Sequence, residues 1–216
     1  DHIYAISSLF TGLIIVAIPM IIKQEKDSII GQYKNIIFTI IGITIVALIT
    51  YFNPAAGSEG GLNLSVSGLS IGLGIFVFVA GMIAISAMVL PGISGSTLLL
   101  IFGLYTGIIN AIKEFLTFNF EYVPVLVIFG LGVITGIVST IKIIKIELKR
   151  HRSQMIYLIL GLMIGSLYAV FMGPTTLEVA KPAMNLSTFN FVYFIIGGAI
   201  LLGLEKGKGL LEKRAK

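Results

Sequence analysis

The sequence predicts an all-α, polytopic membrane protein built on an inverted-topology repeat with helical, re-entrant hairpins. Three observations carry this expectation. Of 216 residues, 56% are hydrophobic and only 12% are charged, whereas a soluble domain carries about 25% charged residues. The mean hydropathy is +1.04, and the apolar residues fall in runs near the ~20 residues that cross a bilayer as a helix. The remaining charge is bunched between those runs. Such a composition excludes a soluble globular enzyme, a disordered chain and a nucleic-acid-binding module. Cysteine is absent, which removes any disulfide framework, thiolate nucleophile or cysteine-based metal site. One membrane domain is expected over residues 1–216.

Taken in order, the spans are 3–22, 35–52, 122–141, 155–173 and 191–204, the last of them short. Between the second and third lies 71–112, twice the length of a span and interrupted by Pro91-Gly92-Ile93-Ser94-Gly95-Ser96. It reads as a helical hairpin with arms 71–90 and 97–112. At 1.5 Å per residue these arms measure ~30 Å and ~24 Å. The second is a marginal span, which favours a partly re-entrant hairpin over a double crossing. Residues 205–216 are left as a tail.

Lysine and arginine set the orientation, because loops on the cytoplasmic side retain them. The 23–34 loop carries Lys23, Lys26 and Lys34, and the 142–152 loop carries Lys142, Lys145, Lys149, Arg150 and Arg152. The tail carries Lys206, Lys208, Lys213, Arg214 and Lys216. With these three segments inside, only Lys113 and Lys181 of the 15 basic residues lie outside. The net charge of +5 is thereby a topology signal rather than a nucleic-acid footprint. Phe and Tyr gather at the opposite ends: Tyr51, Phe52, Phe115, Phe118, Phe120, Tyr122, Phe189 and Phe191. They are expected as an interfacial belt. The glycine pairs Gly103/Gly107, Gly132/Gly136 and Gly161/Gly165 have the spacing of close internal helix packing.

An internal repeat supports the transporter-like plan. Aligning Ile3–Gly12 with Ile156–Gly165 matches Ile3, Tyr4, Ile6, Leu9 and Gly12 to Ile156, Tyr157, Ile159, Leu162 and Gly165. On the charge-based orientation the two copies cross in opposite senses, which is the mark of an inverted repeat. Residues 71–204 then form the second repeat, and 1–52 the remainder of the first. The corresponding first hairpin is expected upstream of Asp1, so the chain reads as N-terminally truncated.

The interruption at 91–97 is the candidate site. Pro91 ends a helix by removing a donor and clashing with the preceding turn. Gly92 and Gly95 free the backbone, and Ser94, Ser96 and Thr97 suit the N-cap of an arm starting near Leu98. New helix starts favour anions, and irregular backbone within a membrane is tolerated where it lines a polar cavity. No Asp, Glu, His, Lys or Arg falls within 71–112, so no carboxylate relay for ion coupling is visible there. Lys113 stands at the outer edge, either as an ordinary interfacial lysine or as one that guides an anion. His2 and His151 read as solvated, and no metal cluster, cofactor site or catalytic triad is apparent. No signal for oligomeric state is read.

At these residues the sequence resembles the bacterial polyprenyl-phosphate (undecaprenyl phosphate) transporter family. The likeness lies in the run Ala87–Tyr105, with its Pro91-Gly92-Ile93-Ser94-Gly95-Ser96-Thr97 block and Gly103-Leu104-Tyr105, and in Gly161–Ser166. The family's earlier Pro-Gly-Val-Ser-Gly-Gly-Thr block has no counterpart here. The resemblance implies a multi-pass protein of the bacterial cytoplasmic membrane, a flippase rather than an enzyme. It implies translocation of undecaprenyl phosphate, the peptidoglycan lipid carrier, from the outer to the inner leaflet for recycling. It also implies that Pro91, Gly92, Ser94, Gly95, Ser96 and Thr97 hold the phosphate headgroup. The alternative is an ion-coupled transporter of a small soluble anion. A lipid phosphatase would need a His, Asp or Arg cluster near a membrane face, and none is seen.

Overall fold

Long apolar runs leave the backbone no water to bond, so helices that satisfy their own N–H and C=O groups are the favoured form. The computed structural model describes residues 2–52, 64, 69–90, 93–177 and 179–214, the last seven of these by backbone alone. Among them the elements are α1 (Ile3–Gln24), α2 (Lys26–Ile29), α3 (Ile36–Tyr51), α4 (Ile71–Val89) and α5 (Gly95–Ile101). They continue as α6 (Tyr105–Leu116), α7 (Val123–Arg150), α8 (Arg152–Met172) and α9 (Phe191–Arg214), with a few 3-10 turns and no strand. Helices α1, α3, α4, α7 and α8 are each long and apolar enough, some with a flanking turn, to cross a membrane. The all-helical, multi-span class expected from composition is therefore the fold observed.

Several elements depart from the expectation in instructive ways. The charged stretch 142–152 is not a loop. Helix α7 runs through it for 28 residues to Arg150, and α8 resumes at Arg152. Lys, Glu, Leu and Arg are strong helix formers, and no Gly or Pro lies between Lys142 and Arg152 to stop them. The arm 97–112 is not one helix either, because α5 and α6 meet at 109°. At that corner Gly103 has φ +68°, a left-handed conformation that glycine adopts without the Cβ clash. Gly103 thus makes a turn rather than the close packing its spacing to Gly107 suggested. Helix α9 extends from the expected 191–204 span through to Arg214, with Glu205, Lys206 and Lys208 on its second half.

Contacts divide the chain into two compact units, residues 1–47 with 153–216, and residues 48–152. In the first unit α1 packs on α9, and small residues let the backbones meet. A methyl at Gly12 would strike the Phe194 carbonyl, and one at Gly197 the Leu9 carbonyl. The contacts advance together: Ser8 accepts a hydrogen bond from the Asn190 N–H at 2.9 Å, Gly12 faces Phe194, and Gly198 faces Val16. The pair is therefore parallel. Helices α3 and α8 pair in the same manner. Asn35 Nδ2 donates to Ser153 Oγ at 2.8 Å, Thr39 Oγ1 to the Tyr157 carbonyl at 2.9 Å, and Gly165 faces Ile43 and Val46.

Two tyrosine bonds in this unit correspond to one another. Tyr4 Oη donates to the Pro182 carbonyl at 3.0 Å, and Tyr157 Oη donates to the Ile29 carbonyl at 3.2 Å. Tyr157 lies 153 positions after Tyr4, and Pro182 lies 153 positions after Ile29. That is also the offset between the aligned segments beginning at Ile3 and Ile156. Near the Tyr4 bond, the rings of Phe171, Phe189, Phe191 and Phe194 cluster together. Phe189 is thus packed within the protein, unlike the exposed Tyr51, Phe118 and Phe120.

The second unit is built on α4 and α7. Gly74 faces Ile128, Gly132 faces Phe78, and Gly136 faces Met82, while Thr140 Oγ1 donates to Ser86 Oγ at 2.7 Å. Each step of four on α4 is matched by a step of four on α7, so this pair is parallel as well. Its core joins Val77 and Ala80 of α4 to Leu104, Ile108 and Ala111 around α6 and to Val125 of α7.

Candidate functional site

The site residues expected from sequence lie where α4 gives way to α5. Pro91 and Gly92 fall outside the described residues. Helix α5 begins at Gly95, three residues earlier than expected, so Ser96 and Thr97 lie inside its first turn. Ser94 occupies the N-cap position, but its side chain accepts no hydrogen bond from the helix backbone. Instead Ser94 Oγ and Ser96 Oγ bond one another at 2.7 Å. Both serines are exposed and Thr97 is half-buried. One proton of the pair is engaged in that bond, which leaves the other hydroxyl hydrogen free to donate. Helix α5 has only seven residues, so its dipole adds little and the hydroxyls carry most of the site's polarity.

Gly95 has a packing reason to be glycine. A Cβ there would come within 3.1 Å of the Ala84 carbonyl, so α5 starts pressed against the backbone of α4. The depth of the break follows from the α4–α7 register. Ser86, three residues before the end of α4, is bonded to Thr140, two residues before Lys142. The break thus lies level with the start of the lysine-rich part of α7, at one end of the apolar section rather than at its middle.

Lys113 is not brought to the break. It lies on α6, at the far end of the return arm formed by α5 and α6, and is exposed. Helix α6 has two distinct faces. Leu104, Ile108 and Ala111 are buried, at the i, i+4, i+7 spacing of one helical face. Thr106, Asn110 and Lys113 repeat that spacing two residues later and are all exposed. A run of apolar residues carrying polar side chains at this spacing is the sequence signal that would have singled out Thr106 and Asn110 beside Lys113. His151, read as solvated, is exposed and lies 2.8 Å from Glu147 Oε2.

At the other end of α4, an apolar groove of about 450 Å³ is lined by Leu69, Ser70, Ile71, Gly74, Ile75, Phe78 and Ile128. Ser70 Oγ is occupied there, accepting from the Leu73 N–H at 3.1 Å to cap α4. The groove offers apolar surface with almost no free polar group. That surface suits hydrocarbon better than a charged ligand.

Comparison with known proteins identifies relatives of the chain. Residues 1–188 match a family described as undecaprenyl phosphate translocase-like. A polyprenyl-phosphate transporter of Staphylococcus aureus is 39% identical over 198 residues, covering 91% of this chain and 66% of that protein. One of Vibrio cholerae, with the same name, is 29% identical over 228 aligned positions, covering 95% of this chain and 67% of that protein. The chain thus spans about two-thirds of the length of these relatives. No solved structure matches it. With most of its length matched, the chain belongs to the undecaprenyl phosphate translocase-like family.

Proposed function

We propose that this chain forms part of a polyprenyl-phosphate transporter that moves undecaprenyl phosphate from the outer to the inner leaflet of the bacterial cytoplasmic membrane. There the lipid carrier re-enters cell-wall synthesis. The observation that carries this reading is the family match over residues 1–188, joined to two relatives named polyprenyl-phosphate transporters. The substrate is a phosphate on a long isoprenoid, and its barrier is the loss of water around the headgroup in hydrocarbon. Protein donors near an apolar surface lower that barrier. The Ser94–Ser96 pair supplies hydroxyls at a helix break, and the groove beside Ile71 and Phe78 supplies hydrocarbon contact for a prenyl chain.

The architecture we infer is an inverted repeat in which α1 and α3 correspond to α8 and α9. Two features support it. The tyrosine bonds of Tyr4 and Tyr157 are related by the same offset as the sequences. The two packed pairs of the first unit also join one helix of each repeat, α1 with α9 and α3 with α8. The lysine-based orientation makes both members of every packed pair cross in the same sense, and all three pairs are parallel. In that orientation the Ser94–Ser96 break sits near the cytoplasmic end of α4, placed to receive the headgroup at the inner leaflet.

Translocation of labelled undecaprenyl phosphate in proteoliposomes holding the full-length protein tests the reading. Transport should fall by about tenfold in Ser94→Ala/Ser96→Ala, the scale of losing one hydrogen bond to a charged group. Wild-type rates in that variant overturn the headgroup assignment. A wild type that is inert toward the lipid but moves a water-soluble anion overturns the function.

A further inference from the structure

We propose that the exposed face of α6, formed by Thr106, Asn110 and Lys113, is a second polar station that binds the phosphate headgroup, across the α5–α6 corner from the serine break. This rests on the transport function proposed above and adds residues that lie outside the serine break.

Depth makes the stripe informative. The opposite face of α6 shares one core with Val77 and Ala80 of α4. Helix α4 starts at Ile71, so those residues lie about 9 and 14 Å along it, in a hydrocarbon layer ~30 Å thick. The buried face of α6 therefore meets α4 about two turns inside its start. On the other face, Thr106 and Asn110 point away from the protein core and are exposed. Neither side chain has a hydrogen-bond partner among the described residues. A carboxamide left unpaired against lipid is strongly disfavoured. A face that keeps one there has water, a polar ligand or a polar protein group against it.

Chemistry selects an anion. The stripe offers the Asn110 amide N–H groups, the Thr106 hydroxyl and the Lys113 ammonium, which forms no ion pair among the described residues. The acid on this helix is drawn aside: Glu114 Oε2 accepts from Asn119 Nδ2 at 2.9 Å, and Glu121 lies beyond it on the following turn. Ile109 and Ile112 flank the stripe and are exposed. A charged headgroup thus has donors beneath it and apolar surface beside it for its prenyl chain. Along the return arm the order is Lys113, Asn110, Thr106, then Thr97, Ser96 and Ser94. The two groups lie on either side of the 109° corner between α5 and α6.

The test uses the full-length protein in proteoliposomes, with labelled undecaprenyl phosphate and, separately, inorganic phosphate. Asn110→Leu keeps the side-chain volume while removing every donor, and on an exposed face it leaves the thermal midpoint unchanged or higher. It should slow lipid translocation by about tenfold, with Asn110→Gln restoring most of the rate and Thr106→Val giving a smaller loss. Lys113→Gln should abolish any dependence of the rate on ionic strength between low and physiological salt. Wild-type lipid transport in Asn110→Leu/Thr106→Val overturns the polar station while leaving the transporter reading intact. Should the wild type move inorganic phosphate and not the lipid, both fall.

Discussion

Gly132 illustrates how much of this protein is decided by single missing methyl groups. Helix pairs in a membrane gain no hydrophobic driving force from association, so they depend on close packing and a few hydrogen bonds. Gly132, Gly136, Gly161, Gly12 and Gly197 each bring a neighbouring carbonyl to where a Cβ would stand. Gly130, two residues from Gly132 on the same helix, has nothing within 4 Å. Gly132→Ala should therefore destabilise the protein by about 1–3 kcal/mol, the range for overpacking a tight site. Gly130→Ala should be neutral or slightly stabilising. Thermal midpoints in detergent separate the two, and equal shifts would mean that α4 and α7 do not meet as described. The Gly-x-x-x-Gly spacing made Gly132 and Gly161 legible as packing positions. Gly12 and Gly197 lack such spacing, and only the neighbours across the pair reveal them.

Among the elements, the return arm is where sequence reasoning stopped short. Pro91 announces the end of α4, but nothing in the run Leu98–Ile112 looks unlike a continuous apolar helix. The corner arises because burying Leu104 together with Ile108 and Ala111 turns α6 onto the α4–α7 core, and Gly103 alone tolerates the required φ. Gly103→Val should cost about 1–2 kcal/mol, the penalty for a β-carbon in left-handed backbone. It should also weaken the α6 packing, measured as faster proteolysis or hydrogen exchange over 98–112. An unchanged exchange pattern would show that the corner does not depend on glycine. Helix α7 shows the reverse case. The lysines mark the end of the apolar run, but the end of an apolar run is not a helix boundary. The backbone keeps its ladder in water as well as in lipid, and the residues beyond Ile141 favour helix.

For the whole molecule, charge distribution and helix pairing are independent lines that agree on which helices cross in the same sense. The lysines demand that α1 and α9 cross in one sense and α3 and α8 in the other. The packed pairs join helices of like sense, held by Ser8–Asn190 and Asn35–Ser153. Because the chain has no cysteine, single introduced cysteines report sidedness without background. Ser187→Cys should react with a membrane-impermeant maleimide in intact cells, and Asp27→Cys only after permeabilisation. The opposite pattern would invert the orientation and reverse the proposed direction of transport. Labelling of both in intact cells would mean that residues 27 and 187 share a side.

The sequence by itself determined that the chain is a helical membrane protein, roughly where its spans lie, which ends carry the cations and where the polar break falls. Those features follow from composition and local chemistry, since long apolar runs in hydrocarbon favour helices and Pro91 with its neighbouring glycines breaks one locally. Only the tertiary structure decided which helices pair, that they pair in parallel, and that the break lies level with the first lysines of α7. It also decided that α6 turns one face to the core and leaves Thr106, Asn110 and Lys113 on the other. These depend on backbones meeting across long separations in the chain, through glycines whose partners no local pattern names.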